Sequence, residues 1–188
     1  TLEGLNTRGG DVLLPDRLQS LLMLRLDALA RPARRVARLA AVVGAECDEE
    51  LLSALLEPED RPFLENALEE LLHSEILVAD AVSHRFRFRH SLQQEVAYES
   101  LLFARRRELH AGVMGLLHER QGDDVAPIVE ILAYHARLAD KASETVRFSF
   151  LAGQKSQRLY AWESAVTYYE TARTEVGRLG KGSASPRS

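Results

Sequence analysis

The sequence predicts a mainly α-helical chain interrupted once by a small two-stranded ribbon. Three observations carry this. Apolar residues recur at three- and four-residue intervals over most of the chain, the spacing that lines one face of a helix. Between residues 76 and 88 the period drops to two. A helical hairpin then spans 142–176, and its two helices carry a repeat-like pattern.

The elements follow in order. Residues 1–13 are a lead-in, polar through Asp11 with Gly9 and Gly10. Pro15 stands where a first-turn proline belongs, and Leu18, Leu21, Leu22, Leu26 and Leu29 follow at helical spacing. Pro32 opens a second helix with Val36, Leu39, Ala40 and Val43 on its apolar face, and Gly44 is its candidate C-cap. Asp48 is placed to cap a third helix through Leu56. Asp60 and Pro62 start a fourth, with the stripe Leu64, Ala67, Leu68, Leu71 and Leu72. "ILVAD" (76–80) and "HRFRF" (84–88) then read as strands. Phe86 and Phe88 share one face of the second, and Arg85, Arg87 and Arg89 share the other. Three or four helices followed by a two-stranded ribbon is the layout of a winged-helix domain, assigned to 14–102.

Helical spacing resumes at Ser91. Ser91 and Gln94 form an S-x-x-Q capping box, so the helix is expected to start there and run to Gln121, with a break near Phe103. Gly122, Asp123 and Asp124 mark a loop, a helix covers 128–138, and Asp140 and Lys141 mark a turn. Residues 103–140 are thus a helical connector. Residues 141–178 form the hairpin unit, and the small, polar 179–188 read as a disordered tail. Within the hairpin, "LAGQKSQRLYAWESAVTYYETA" resembles one tetratricopeptide unit. Gly153 is the small residue where the helices meet, and Ala165, Tyr169 and Ala172 supply the alanine–aromatic–alanine pattern. Ser149, Ser156 and Gly177 depart from it. One unit cannot bury its own faces, and such arrays need about three. Further repeats are therefore expected beyond Ser188, with the helix at 128–138 as an atypical half-repeat. A start at Thr1 without methionine also reads as a fragment of a longer chain.

Several function classes lack their residues. The formal net charge of -4 and pI of 5.9 give no general pull toward nucleic acid. No apolar run approaches the roughly 18 residues of a membrane span, and a single cysteine, Cys47, fits a reducing, cytoplasmic setting. The nearest approach to a phosphate-binding loop is "GKGS" at 180–183, where Glu175 stands in place of the upstream glycine. His110 and His118, eight apart around Met114, are two ligands without a third, so no metal is expected. Cys47 has no glycine-rich elbow and reads as structural. The pairs Glu49–Glu50 and Glu69–Glu70 point different ways on a helix and read as solvated charges. No residue is assigned a catalytic role, and the chain is not expected to be an enzyme. The helix before the ribbon carries or is flanked by Glu57, Glu59, Asp60, Glu65, Glu69 and Glu70 against Arg61 alone, which phosphates would repel. The basic ribbon and Arg105, Arg106 and Arg107 keep a DNA-binding regulator as an alternative, and a plain repeat scaffold is a second. Nucleic acid is not the expected partner.

Three stretches carry a family resemblance: "LPDRLQSLLMLRLDAL", "FRFRHSLQQEVAYESLLFARRRELH" and the repeat. Together they resemble the region after the ATPase core in STAND signalling ATPases, above all the bacterial type fused to adenylate or guanylate cyclase domains or to transcription regulators. The resemblance covers 14–173. It implies a P-loop ATPase module before this chain as intramolecular partner, ATP or ADP bound in the parent protein rather than here, and a protein or small-ligand partner on the repeats. Related ATPases carry a Met-His-Asp motif at the end of the wing, whose histidine touches the β-phosphate of ADP. Laid on that motif, Arg89 stands for the methionine, His90 for the histidine and Ser91 for the aspartate, with Leu92 and Glu95 following in register. The resemblance thus makes His90 and Arg89 nucleotide-sensing candidates, supported by the cap at Ser91 and Gln94. Read from the residues alone, His90 at a helix start suits an anion and equally suits packing at a domain seam.

Overall fold

The structure, a computed structural model, describes residues 13–183. Among these residues it is mainly helical, with one two-stranded antiparallel sheet. The chain divides into two compact units between Leu101 and Leu102.

The first unit is built around α2. Helix α1 is Leu13–Ala28, with Pro15 in its first turn, and α2 is Arg31–Val43. Ala33, Val36, Ala37 and Ala40 of α2 are almost fully buried. These small residues let α2 lie close against α4 (Leu64–His73) and α5 (Ser91–Glu99). Between them, α3 (Glu49–Leu55) starts at Asp48, whose carboxylate accepts the Leu51 N–H at 2.7 Å, and it contributes Leu51 and Leu52 to the core. Helix α2 ends at Gly44, whose φ of 127° lies in the region glycine favours. A single 3-10 turn, Arg61–Phe63, leads into α4. Strands β1 (Leu77–Ala79) and β2 (Phe86–Phe88) pair antiparallel, Leu77 opposite Phe88 and Val78 opposite Arg87. Period-two alternation sets their faces: Leu77 and Phe88 are buried, while Arg87 is exposed. Cys47 extends the ribbon, exchanging backbone hydrogen bonds of 2.9 and 2.8 Å with Phe86.

The second unit is helical throughout its described length: α6 (Phe103–Gln121), α7 (Val129–Leu138), α8 (Ala142–Arg158) and α9 (Trp162–Ser183), with a 3-10 turn at Ala126–Ile128. Each α-helix packs on the next. One core runs without a break across the turn at Asp140, joining Val129, Leu132 and Ala136 of α7 to Phe148 and Ala152 of α8. Gly153 meets the Tyr169 ring so closely that a Cβ there would lie 2.6 Å from Cε1. Ala165 and Ala172 are buried on the same side of α9.

Three sequence expectations change. Helix α9 continues to Ser183, so 179–183 is helix rather than tail; 184–188, like the lead-in through residue 12, lies outside the described residues. The physical reason is Arg178, which holds Asp140 at 2.8 Å and Glu175 at 2.8 Å and fixes the helix beyond residue 176. Glu70 is not merely solvated: its carboxylate accepts the Ala30 N–H at 2.8 Å, serving the open amino end of α2. The third change, at Ser91, belongs to the seam described below.

The ends of α4, α7 and α8 repeat one device. Glu75, Asp140 and Tyr160 take left-handed φ values of 55°, 56° and 59°. The next N–H then bonds back to the fifth residue before it: Ile76 to Leu71, Lys141 to Ala136, Ala161 to Ser156. This is the Schellman arrangement, usually given to glycine, here carried out by three residues with side chains.

Candidate functional site

The seam between ribbon and helix is built from its turn upward. Asp80 accepts the N–H groups of Val82 and Ser83 at 2.9 and 2.7 Å, and these bonds hold its carboxyl below the usual carboxylate range. The turn sets β2 opposite β1, so Arg85, Arg87 and Arg89 all lie exposed. Arg85 faces Glu46 at 3.4 Å and Arg89 faces Glu75 at 3.6 Å. The ribbon's positive charge is therefore partly answered within the unit.

His90 follows as the N-cap of α5, with extended backbone (φ -133°, ψ 137°). Its carbonyl accepts the N–H groups of Gln93 and Gln94 at 3.0 and 3.4 Å. Its ring is exposed and makes no hydrogen bond to a described residue. The cap thus differs from the capping box expected of Ser91 and Gln94. Ser91 is the first helical residue, no side chain caps the helix, and the Gln94 amide donates to the Ala41 carbonyl at 3.3 Å. Gln94 is drawn away because the last turn of α2 offers it an open carbonyl. Gln93 is buried: its Nε2 reaches the Glu75 carbonyl at 3.5 Å, and its Oε1 finds no partner. Arg89 and His90 therefore stand side by side at the positive end of a nine-residue helix, both open to solvent. Such a place favours an anion presented from outside.

Other candidates fall elsewhere. Cys47 is buried, and burial pushes its thiol up to about 12, which makes it a poor nucleophile at neutral pH. His110 and His118 meet different rings. His110 Nδ1 lies 2.8 Å from His135 Nδ1, and both rings are fully buried, whereas His118 stands edge-on to Phe148. Among the described residues no three His, Cys, Asp or Glu side chains converge as metal ligands. The His110–His135 pair escaped sequence reading, although a signal existed: His135 sits in the apolar stripe Leu132, Ala136, Ala139 at helical spacing. Burial, with Arg106 nearby, lowers His110 to about 4, so the His110 ring is neutral at pH 7. One ring then donates Nδ1–H and the other accepts.

Comparison with known proteins adds one relationship. Over 165 residues, 87% of this chain, the sequence is 32% identical to an uncharacterized protein of Rhizobium meliloti (strain 1021). The match covers 16% of that protein, so the chain spans about a sixth of its relative's length. No protein-family model matches the chain, and no solved structure matches it significantly.

Proposed function

We propose that this chain is a non-catalytic regulatory region of a multidomain signalling ATPase of the STAND type. Its first unit is a winged helix that reads the nucleotide held by a neighbouring P-loop module. Its second unit begins a tetratricopeptide-like array that takes a partner or ligand. The observation that carries this reading is the exposed Arg89–His90 step at the amino end of α5. A histidine ring with free donors, a guanidinium and a helix terminus together suit a phosphate brought by another module. The helix-then-ribbon order supports the winged helix, and the close Gly153–Tyr169 seat supports the repeat. A match to one part of a much longer relative supports a place within a multidomain protein.

Regulation on this scheme needs two states whose balance each ligand shifts. ADP on the P-loop module would hold the first unit through His90, and a ligand on the second unit would favour release. The test is His90→Ala in the full-length protein containing the P-loop module. The expected result is faster ADP loss and higher basal activity, with binding of the chain's other partners retained. Unchanged ADP retention and basal activity would end the sensor role. Duplex binding that weakens steeply with salt would instead favour a DNA-binding regulator.

A further inference from the structure

The passage from α5 to α6 is a helix break without a breaker. Ser100, Leu101 and Leu102 separate the two helices, yet no glycine or proline lies between Ser91 and Arg107. No residue of this run carries the cost that those two impose on a helix interior. Leu102 nevertheless takes extended backbone (φ -62°, ψ 145°) as the N-cap of α6. The amides of Leu102, Phe103 and Ala104 donate to no described residue.

Helix α6 also starts badly. Leu102 has no capping oxygen, and no acid stands in the first turn. Arg105, Arg106 and Arg107 instead crowd the positive end of the helix dipole. Arg105 turns to Glu108 at 3.0 Å and Arg107 to Asp140 at 2.7 Å. Leu102 and Phe103 are 81% and 74% exposed, so little packing fixes the joint in this form. The visible tie is polar. Arg38 of α2 donates from Nε to the Ser100 hydroxyl at 2.9 Å, and that hydroxyl donates to the Ala97 carbonyl at 2.7 Å.

A continuous helix removes these costs. The amides of Leu102, Phe103 and Ala104 would reach the carbonyls of Tyr98, Glu99 and Ser100, four residues back. The three arginines would become interior, with the positive end of the dipole back at Ser91. At about 100° per residue, the buried residues of α5 (Gln93, Val96, Ala97) and of α6 (Leu109, His110, Val113) fall on nearly opposite sides of one helix. Each helix can therefore keep its own packed face.

We propose that the α5–α6 joint is a two-state switch, with the broken form described above and a second form in which 91–121 is one helix. It supplies the bistable element that the regulatory reading needs, but it rests on the geometry of the joint alone. Its test needs only this chain, so its failure would leave the Arg89–His90 step untouched, and loss of the nucleotide reading would leave the joint as it is.

Two substitutions push the joint in opposite directions. Phe103→Pro should lock the break. Proline suits a first helical position, and Leu102 already has the conformation required before it. Inside a continuous helix the same proline would lose the bond to Glu99 and clash with the preceding turn. Ser100→Ala should favour the continuous helix about ten-fold, by removing the Arg38 tie and supplying the best helix former. Amide hydrogen exchange and Cα chemical shifts of the isotope-labelled chain read the result. In Ser100→Ala, protection of the Ala104 amide should rise about ten-fold over the unsubstituted chain, and the Leu102 Cα should move toward its helical shift. Adding Phe103→Pro to Ser100→Ala should abolish both changes. Circular dichroism checks that each variant stays folded. An Ala104 amide that stays unprotected in Ser100→Ala, or protection that survives Phe103→Pro, overturns the switch and leaves the joint as a fixed bend.

Discussion

The two units keep their polar groups in opposite places. In the first, the buried polar side chain among the described residues is Gln93, and the charged residues of interest stand outside on the ribbon and at the start of α5. In the second, His110, His135, Thr145, Ser149, Ser156 and Glu175 are all buried. Some have identified partners: Thr145 donates to the Lys141 carbonyl at 2.9 Å, the histidines face each other, and Glu175 holds Arg178. An apolar core loses stability in proportion to the volume removed. A core with paired polar groups loses most when one partner is removed and the other is left behind. The same kind of substitution therefore has different consequences in the two halves.

The largest effect tests the apolar half. Leu71→Ala removes a fully buried side chain from α4, and a loss of about 2–5 kcal/mol is expected by denaturant unfolding. A loss below about 1 kcal/mol would mean that this core is looser than its burial indicates.

The next effect tests the polar half. His110→Leu leaves His135 buried without its ring partner, and about 1–3 kcal/mol should be lost. The double variant His110→Leu/His135→Leu should recover part of that loss. If the two single losses simply add, the pair is not coupled. The pH dependence has a definite sign. His110 titrates at about 4 in the fold against an ordinary 6.5, so the unfolded chain binds more protons between these values. The contribution is full above pH 6.5 and is lost as the pH falls toward 4. Thermal melts across that window should show a decline that the double variant flattens.

The smallest effect returns to the first unit. Asp48→Ala removes the N-cap of α3 and should cost about 1 kcal/mol. Hydrogen exchange should show the loss concentrated in α3, where Leu51 and Leu52 enter the core.

What the sequence made legible followed from local rules. The change of period placed both strands, Asp48 was readable as a cap, and Gly44 as a stop. What it hid depended on neighbours distant in the chain. Gln94 had a plausible local role and took a distant one, because Ala41 offered a carbonyl across 53 residues. Glu70 looked like a surface charge until the start of α2 arrived beside it. The seam was visible as a handover from strand to helix, whereas its openness at Arg89 and His90 is a property of the packed unit. The histidine pair joins α6 to α7 across 25 residues, and only their packing brings the two rings together.

The left-handed stops at Glu75, Asp140 and Tyr160 bear on how this protein would be re-engineered. A glycine at each would relieve backbone strain of about 1–2 kcal/mol, the first repair a designer would try. Each residue, however, has a second engagement. Asp140 holds Arg107 and Arg178, Glu75 faces Arg89 at the seam, and the Tyr160 ring meets Trp162. The repair would release a tie every time it eased the chain. A stability screen that scored dihedral angles alone would count the gain at these three turns and miss the tie, above all at Asp140, which holds two arginines.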